Sequence, residues 1–262
     1  MNKREIYNLR QVEGDPFRAV AQLRVDTYNQ SQGKDDGTGI QCAACNNRGD
    51  LAFLDDNGFL TIRPCKCAGT RLTVRRLQRQ GLFDIAKKKT LPGFQTDTDT
   101  QKALKSIVER FLEDQEPRWM ILCGQSGAGK THLCTAAFTQ LSLDRGFDGR
   151  YLLWNSDVRR MKAAAKDGDE RLIDDFKRCN LLYIDDLFKC KRDSEPSDSD
   201  VRHAFEILDY RYNHKLMTII STELLMEDIR YLDEAIFRRI REMCGPYMGN
   251  IGRDPNKCFV AV

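Results

Sequence analysis

Apolar residues in the second half of this chain arrive in short unbroken runs. Those at 119–123 (Trp-Met-Ile-Leu-Cys), 150–154 (Arg-Tyr-Leu-Leu-Trp), 181–185 (Leu-Leu-Tyr-Ile-Asp) and 216–221 (Leu-Met-Thr-Ile-Ile-Ser) lack the alternation of a half-solvated strand. They predict strands buried on both faces. Between them the spacing turns helical, over a stretch leading to Cys179 and again at about 198–213, where Val201, Ala204, Phe205, Leu208 and Tyr212 recur. Alternating strands and helices predict an α/β fold, a parallel sheet sandwiched by helices, with ligand at the carboxyl edge of its strands. Upstream, Leu104, Ile107, Val108, Phe111 and Leu112 form the i, i+3, i+4, i+7, i+8 stripe of a helix packed on the core.

The first hundred residues are patterned differently. Asp15 and Pro16 read as a helix start, and Phe17, Val20, Ala21, Arg24 and Tyr28 carry helical spacing to about Gln30. A polar, glycine-rich stretch follows at 31–39. Apolar runs at 51–54 and 59–62 flank Asp-Asp-Asn-Gly, which predicts a small hairpin. The expected organisation is a helical segment and linker at 1–39, a small module at 40–69, a basic helical linker at 70–95 and the α/β domain at 96–262.

Composition narrows the choices. The chain has 262 residues, 41% of them hydrophobic and 31% charged, and a net charge of only +3. Any affinity for nucleic acid must therefore come from local patches. No run approaches the ~18 apolar residues of a membrane span, and the first residues lack an apolar signal core. A cytoplasmic protein with no membrane partner is expected. Two basic stretches stand out: Arg71, Arg75, Arg76 and Arg79 ahead of Lys87, Lys88 and Lys89, and Arg159, Arg160 and Lys162. Each reads either as a solvated helix face or as a contact for nucleic acid or a partner.

The candidate chemistry begins at the end of the first run. Residues 124–131 read Gly-Gln-Ser-Gly-Ala-Gly-Lys-Thr, a full P-loop. Gly124, Gln125, Ser126, Gly127, Ala128 and Gly129 would wrap phosphates with backbone N–H groups, helped by the N-terminus of the helix that carries His132. Lys130 would place its charge on the β and γ phosphates, and the Thr131 hydroxyl would hold Mg²⁺. The third run ends in Asp185 and Asp186. There the first carboxylate suits Mg²⁺ and the second suits the attacking water, the alternative being a pair of solvated turn formers. Asp186 is one methylene shorter than the Glu found in many such ATPases, so slow turnover is expected. The cofactors expected here are ATP and Mg²⁺.

Four of the ten cysteines supply a second centre. Cys42 and Cys45 form a C-x-x-C pair, and Cys65 and Cys67 form a C-x-C pair, with nineteen residues between the two pairs. Four thiolates so spaced suit a closed, structural Zn²⁺ site, with a redox dithiol or unrelated buried thiols as alternatives. A module this small would depend on its metal to fold. The remaining cysteines, Cys123, Cys134, Cys179, Cys190, Cys244 and Cys258, are expected as free thiols.

Taken together these motifs resemble the DnaC/DnaI family of bacterial and phage replicative helicase loaders, AAA+ ATPases of the initiator type. The resemblance rests on Gly-Lys-Thr-His-Leu at 129–133, Asp-Asp-Leu at 185–187 and Asp-Tyr-Arg-Tyr-Asn at 209–213. It rests further on Ile-Ile-Ser-Thr-Glu at 219–223, Asp-Glu-Ala-Ile-Phe-Arg-Arg-Ile at 233–240 and the four-cysteine module ahead of the ATPase. It implies an AAA+ P-loop NTPase core preceded by a small zinc-binding module. It also implies an arginine finger at Arg239 offered to a neighbouring subunit, and a polar sensor among Ser221, Thr222 and Glu223. Arg159, Arg160 and Lys162 would lie where such proteins track single-stranded DNA. The expected partners are the replicative helicase, single-stranded DNA and further copies of the chain. An IstB-type transposition ATPase and a nucleotide-switched adaptor with little hydrolysis are the alternatives.

Overall fold

The computed structural model describes residues 16–252, apart from 80, 82, 115, 117, 145, 146, 148 and 191–193. Asp15, residues 191–193 and Cys258 thus lie outside the described residues. The chain divides into two compact units, one ending at Arg75 and one running from Arg76.

The smaller unit has little apolar core and is tied together by polar contacts. Helix α1 (Pro16–Gln30) lies against a hairpin of β1 (Asp50–Leu54) and β2 (Leu60–Pro64), paired in antiparallel register with Ala52 opposite Ile62. Asn29 clamps the Ala52 backbone: its Nδ2 donates to the Ala52 carbonyl, and the Ala52 N–H donates to its Oδ1, each at 2.9 Å. The Tyr28 hydroxyl donates to Asp50 at 3.0 Å, and Arg48 covers the Tyr28 ring at 3.7 Å. Helix and hairpin are therefore one body. The linker at 31–39 is also pinned, because the Gly33 N–H donates to the Asn46 carbonyl at 2.7 Å and a Cβ at Gly33 would strike the Asn47 backbone at 2.4 Å. Helix α2 (Cys67–Arg79) begins in this unit.

The larger unit is the expected α/β sandwich. Its elements are α3 (Phe83–Lys88), α4 (Asp99–Glu113), β3 (Trp119–Gly124), α5 (Lys130–Asp144), β4 (Gly149–Leu153), α6 (Trp154–Lys166), α7 (Arg171–Arg178), β5 (Leu181–Asp185), α8 (Asp198–Asn213), β6 (Met217–Thr222), α9 (Met226–Leu232), α10 (Glu234–Cys244) and β7 (Met248–Ile251). Five parallel strands stand in the order β4-β5-β6-β3-β7. Successive residues of β3 serve opposite faces. Trp119, Ile121 and Cys123 pack with α6 to α10, while Met120 and Leu122 pack with α4 and α5. That two-sided burial is why these runs are apolar without interruption. α4 starts where Thr98 and Gln101 form a capping box, the Gln101 N–H donating to Thr98 Oγ1 and the Thr98 N–H to Gln101 Oε1.

The fifth strand is a correction to the sequence reading, which took 216–221 as the last of the sheet. β7 escapes a hydrophobicity search because Gly249 and Asn250 interrupt it. A Cβ at Gly249 would meet the ends of Leu104 at 2.7 Å and Leu122 at 2.8 Å, so a larger residue would have to push both side chains aside. Among the described residues no helix is long and apolar enough to cross a membrane.

Candidate functional site

The strand order sets up the site. β6 lies between β3, which feeds the glycine loop, and β5, which ends in the acids, so the end of β6 falls between the two. Gly124, Gly127 and Gly129 take φ of +102°, +78° and +85°. At Gly124 a Cβ would overlap the Ile251 carbonyl, and at Gly129 it would meet the Phe94 ring at 2.6 Å. These positions admit glycine alone on two grounds, conformation and space. Lys130 is buried where α5 begins, and its Nζ donates to the Gly124 and Gln125 carbonyls at 2.7 Å each. Burial pushes its pKa down, and nearby carboxylates push it back up.

Asp185 is 4% exposed and sits among hydroxyls. Tyr151 donates to it at 2.6 Å, Tyr183 at 2.7 Å, Ser221 at 2.5 Å and Thr131 at 3.2 Å. The two residues expected to share a metal, Thr131 and Asp185, are thus in direct contact. Asp186 follows in the left-handed conformation, φ +57°, with its N–H donated to Ser221 Oγ at 3.1 Å. Burial raises its pKa, opposed by the hydrogen bond from Lys189.

A cleft of about 430 Å³ opens beside Asp186, with the buried Asp185 not among its lining, and is lined on one side by Ser126, Gly127, Gly129, Lys130, Thr131 and His132. The facing wall is one that sequence reasoning missed. Lys89, Gly93, Phe94 and Gln95, read as part of a basic linker, line the cleft, as do Gln101, Asp186, Lys189 and Glu223. His132 meets the Phe94 ring edge-on at 5.2 Å, and its Nε2 is 2.9 Å from the Thr90 carbonyl oxygen. Of the three sensor candidates, Ser221 holds both acids and Glu223 lines the cleft. Thr222 is fully buried, donating to the Leu187 carbonyl at 2.7 Å, and does not line it. Gly124 and Gln125 act through their carbonyls on Lys130, and Ala128 is buried beneath the loop.

Arg239 stands elsewhere, on α10. Its Nε donates to Asp209 of α8 at 2.8 Å, Nη1 to the Ala235 carbonyl at 3.1 Å, and its guanidinium lies 4.8 Å from the Phe205 ring centre. The basic residues of α6 have local partners: Lys162 with Asp200 at 2.7 Å, Arg160 with Asp157 at 2.9 Å, and Arg159 with the Asn155 carbonyl at 2.9 Å.

In the smaller unit the sulfur atoms of Cys42, Cys45, Cys65 and Cys67 all lie within 4.8 Å of one another. Cys42 and Cys65 are 3.9 Å apart, and Cys45 and Cys67 are 3.6 Å apart. A tetrahedral Zn²⁺ with bonds of about 2.3 Å needs sulfur–sulfur edges of about 3.8 Å, so the donor set fits. The Gly49 N–H donates to Cys45 Sγ and Arg71 Nε to Cys67 Sγ, each at 3.3 Å, as thiolates require. Burial pushes the Cys65 and Cys67 thiols up, Cys67 to about 12. Burial opposes ionisation of Cys45 as well, yet the Gly49 N–H and neighbouring thiols bring it down to about 7. Metal binding would thus have to displace protons from the set. Arg71 is itself buried and paired with Asp36 at 2.9 Å. Burial would raise the Asp36 pKa, yet hydrogen bonds from Thr38 and Arg71 hold it well below the usual carboxylate range. Of the basic run, Arg71 thus turns inward to Asp36, and the exposed Arg75 pairs with the same carboxylate at 3.0 Å. Cys123, Cys134, Cys179, Cys190 and Cys244 are free thiols.

The model of the IstB-like ATP-binding protein family matches residues 70–237. YqaM of Bacillus subtilis (strain 168) is 30% identical over 196 residues, 71% of this chain and 62% of that one. XkdC, of the phage-like element PBSX in the same organism, is 28% identical over 81% of this chain and 83% of its own. The insertion sequence IS232 protein of Bacillus thuringiensis subsp. berliner is 31% identical over half of each chain. Among solved structures, the DnaC helicase loader matches with a TM-score of 0.55 and 22% identity, over 64% of this chain and 97% of the loader. DnaI matches at 0.52 and 22%, over 64% of this chain and 93% of its own. The fold is therefore the AAA+ type that DnaC and DnaI share.

Proposed function

We propose, from the premise that this chain belongs to the IstB-like ATP-binding protein family, an ATP-dependent loader of the replicative DNA helicase onto single-stranded DNA. One observation carries the reading. The family model begins at residue 70, so the four-sulfur unit lies outside the part that it matches. A second compact unit on an ATPase with the fold of the DnaC and DnaI loaders suits a grip on a partner.

In this account Lys130 and the loop N–H groups bind the phosphates. Thr131 and Asp185 would hold Mg²⁺, which neutralises phosphate oxygens when bound. Asp186 orients the attacking water and accepts its proton. Asp185 is held by its four hydroxyl donors in one orientation, so no side chain has to reorganise when charge develops. Copies of the chain assemble through the ATPase unit, and Arg239 reaches the neighbour's nucleotide from the α8–α10 surface. Zn²⁺ held by Cys42, Cys45, Cys65 and Cys67 would fix the smaller unit in shape for the helicase.

The similarity to the IS232 protein supports a second reading, an ATPase that serves a transposase. The two part in one experiment. The full chain is mixed with the replicative helicase of its host, and the mass of the complex is measured with and without ATP and Mg²⁺. A defined complex, lost when Cys45→Ser removes a sulfur, supports the loader. No complex under any nucleotide condition, with ATP-dependent DNA binding intact, moves the assignment to the transposition type.

A further inference from the structure

Asp186 and Glu223 are the carboxylates lining the nucleotide cleft, and both bind one cation. Lys189 Nζ donates to Asp186 Oδ2 and to Glu223 Oε1, each at 2.9 Å. Lys130 is committed to backbone carbonyls instead.

The backbone is bent to put Lys189 there. Asp186 and Phe188 adopt φ of +57° and +64°, a conformation that non-glycine residues adopt only when their surroundings impose it. The imposition is visible. Leu187 donates its N–H to the Ser221 carbonyl at 2.9 Å and accepts from Thr222 Oγ1 at 2.7 Å, and both Leu187 and Phe188 are buried. The turn closes with the Lys189 N–H on the Asp186 carbonyl at 2.9 Å, which lays the lysine side chain over the acid three residues before it. Thr222, buried and facing away from the cleft, thus helps to aim Lys189 into it.

We propose that Lys189 is a positioning residue for the triphosphate: by neutralising Asp186 and Glu223 together, it lets a γ-phosphate enter a pocket that two carboxylates would otherwise close to it. The inference deepens the nucleotide-binding reading above and rests on it. A terminal phosphate brings negative charge up to two carboxylates, and at contact range, well inside the Debye length of about 8–10 Å, salt screens that repulsion little. A diphosphate has no group at that position. Removing Lys189 therefore acts on ATP and spares most of the affinity for ADP.

The test is a binding titration on the full chain with Mg²⁺, using a non-hydrolysable ATP analogue and ADP, with thermal unfolding followed in parallel. Lys189→Met is expected to lose about tenfold or more in affinity for the analogue and less than about threefold for ADP. Adding Glu223→Gln to that variant recovers most of the loss, and Lys189→Arg keeps the discrimination. Should Lys189→Met unfold early, Glu223→Gln alone still decides, because it is expected to strengthen the analogue relative to ADP. An equal loss for both nucleotides, no recovery in the double variant, or a selective weakening by Glu223→Gln overturns the inference while leaving nucleotide binding intact. A parent protein that binds neither nucleotide removes the premise and the inference together.

Discussion

Asp209 on α8 and Arg239 on α10 are bound side chain to side chain, the Arg239 Nε donating to Asp209 Oδ1 at 2.8 Å. The pair sets the guanidinium 4.8 Å from the Phe205 ring centre on the α8–α10 surface. With side chains 24% and 31% exposed, such a pair contributes no more than about 1 kcal/mol to stability. A structural role and a role across a subunit interface therefore separate cleanly.

Arg239→Ala is expected to bind ATP normally, unfold within about 3 °C of the parent and lose at least tenfold in turnover at concentrations where the ATPase units assemble. Hydrolysis measured against protein concentration checks it. Parent-like turnover in the assembled state would remove the finger assignment.

Within one chain, Lys130→Ala is expected to abolish nucleotide binding, because it removes the cation seated against the loop carbonyls. Asp186→Asn keeps binding and loses turnover, since the amide neither accepts the proton nor orients the water. Fluorescent nucleotide titration and phosphate release, run on both variants, separate the two effects. An Asp186→Asn enzyme at full rate would return that residue to an ordinary turn position.

The four-cysteine unit is expected to contain one Zn²⁺ per chain, and strong chelation to unfold that unit while the ATPase unit still binds nucleotide. Its apolar contribution is small, with Val25, Ala52 and Val74 among the few buried aliphatic side chains. Arg71→Met loses the hydrogen bonds to Cys67, Ile40 and Asp36 and is expected to bind zinc more weakly. Metal content and the thermal transition of the chelated protein measure this. A chelated chain with an unchanged transition would show that the sulfurs hold no structural metal.

Arg211 is fully buried and, among the described residues, has no carboxylate partner. It donates instead to the carbonyls of Phe176, Lys177 and Cys179 at the end of α7, and to Met217 and Thr218. Arg211→Met strands those carbonyls and is expected to cost about 3 kcal/mol or more in urea unfolding. A loss below about 1 kcal/mol would show that water or α7 itself supplies the missing donors.

Much of this was legible in the sequence, and the rest was hidden for definite reasons. Continuous apolar runs marked β3, β5 and β6 because both faces of those strands are covered. β7 was hidden because a strand that must pass Leu104 and Leu122 at close range carries glycine, not a branched side chain. Spacing placed Thr131 and Asp185 at one site, and the structure puts them in contact. Phe94 and Lys189 carry no motif, since they reach the cleft through tertiary packing. A lysine three residues after the second acid was the available signal, as a left-handed turn returns that side chain to the acid. A positive charge in sequence does not reveal a partner such as Asp36 or Asp200, so the ion pairs of Arg71 and Lys162 were not legible there.

The central claim is that this ATPase places a helicase on single-stranded DNA. Its most direct measurement is unwinding by the host helicase on a forked substrate coated with single-strand-binding protein, with and without this chain and ATP. The account predicts unwinding that requires the parent protein and is lost with Lys130→Ala, Arg239→Ala and Cys45→Ser. Unwinding that is equally fast without the protein, or with all three variants, would contradict it.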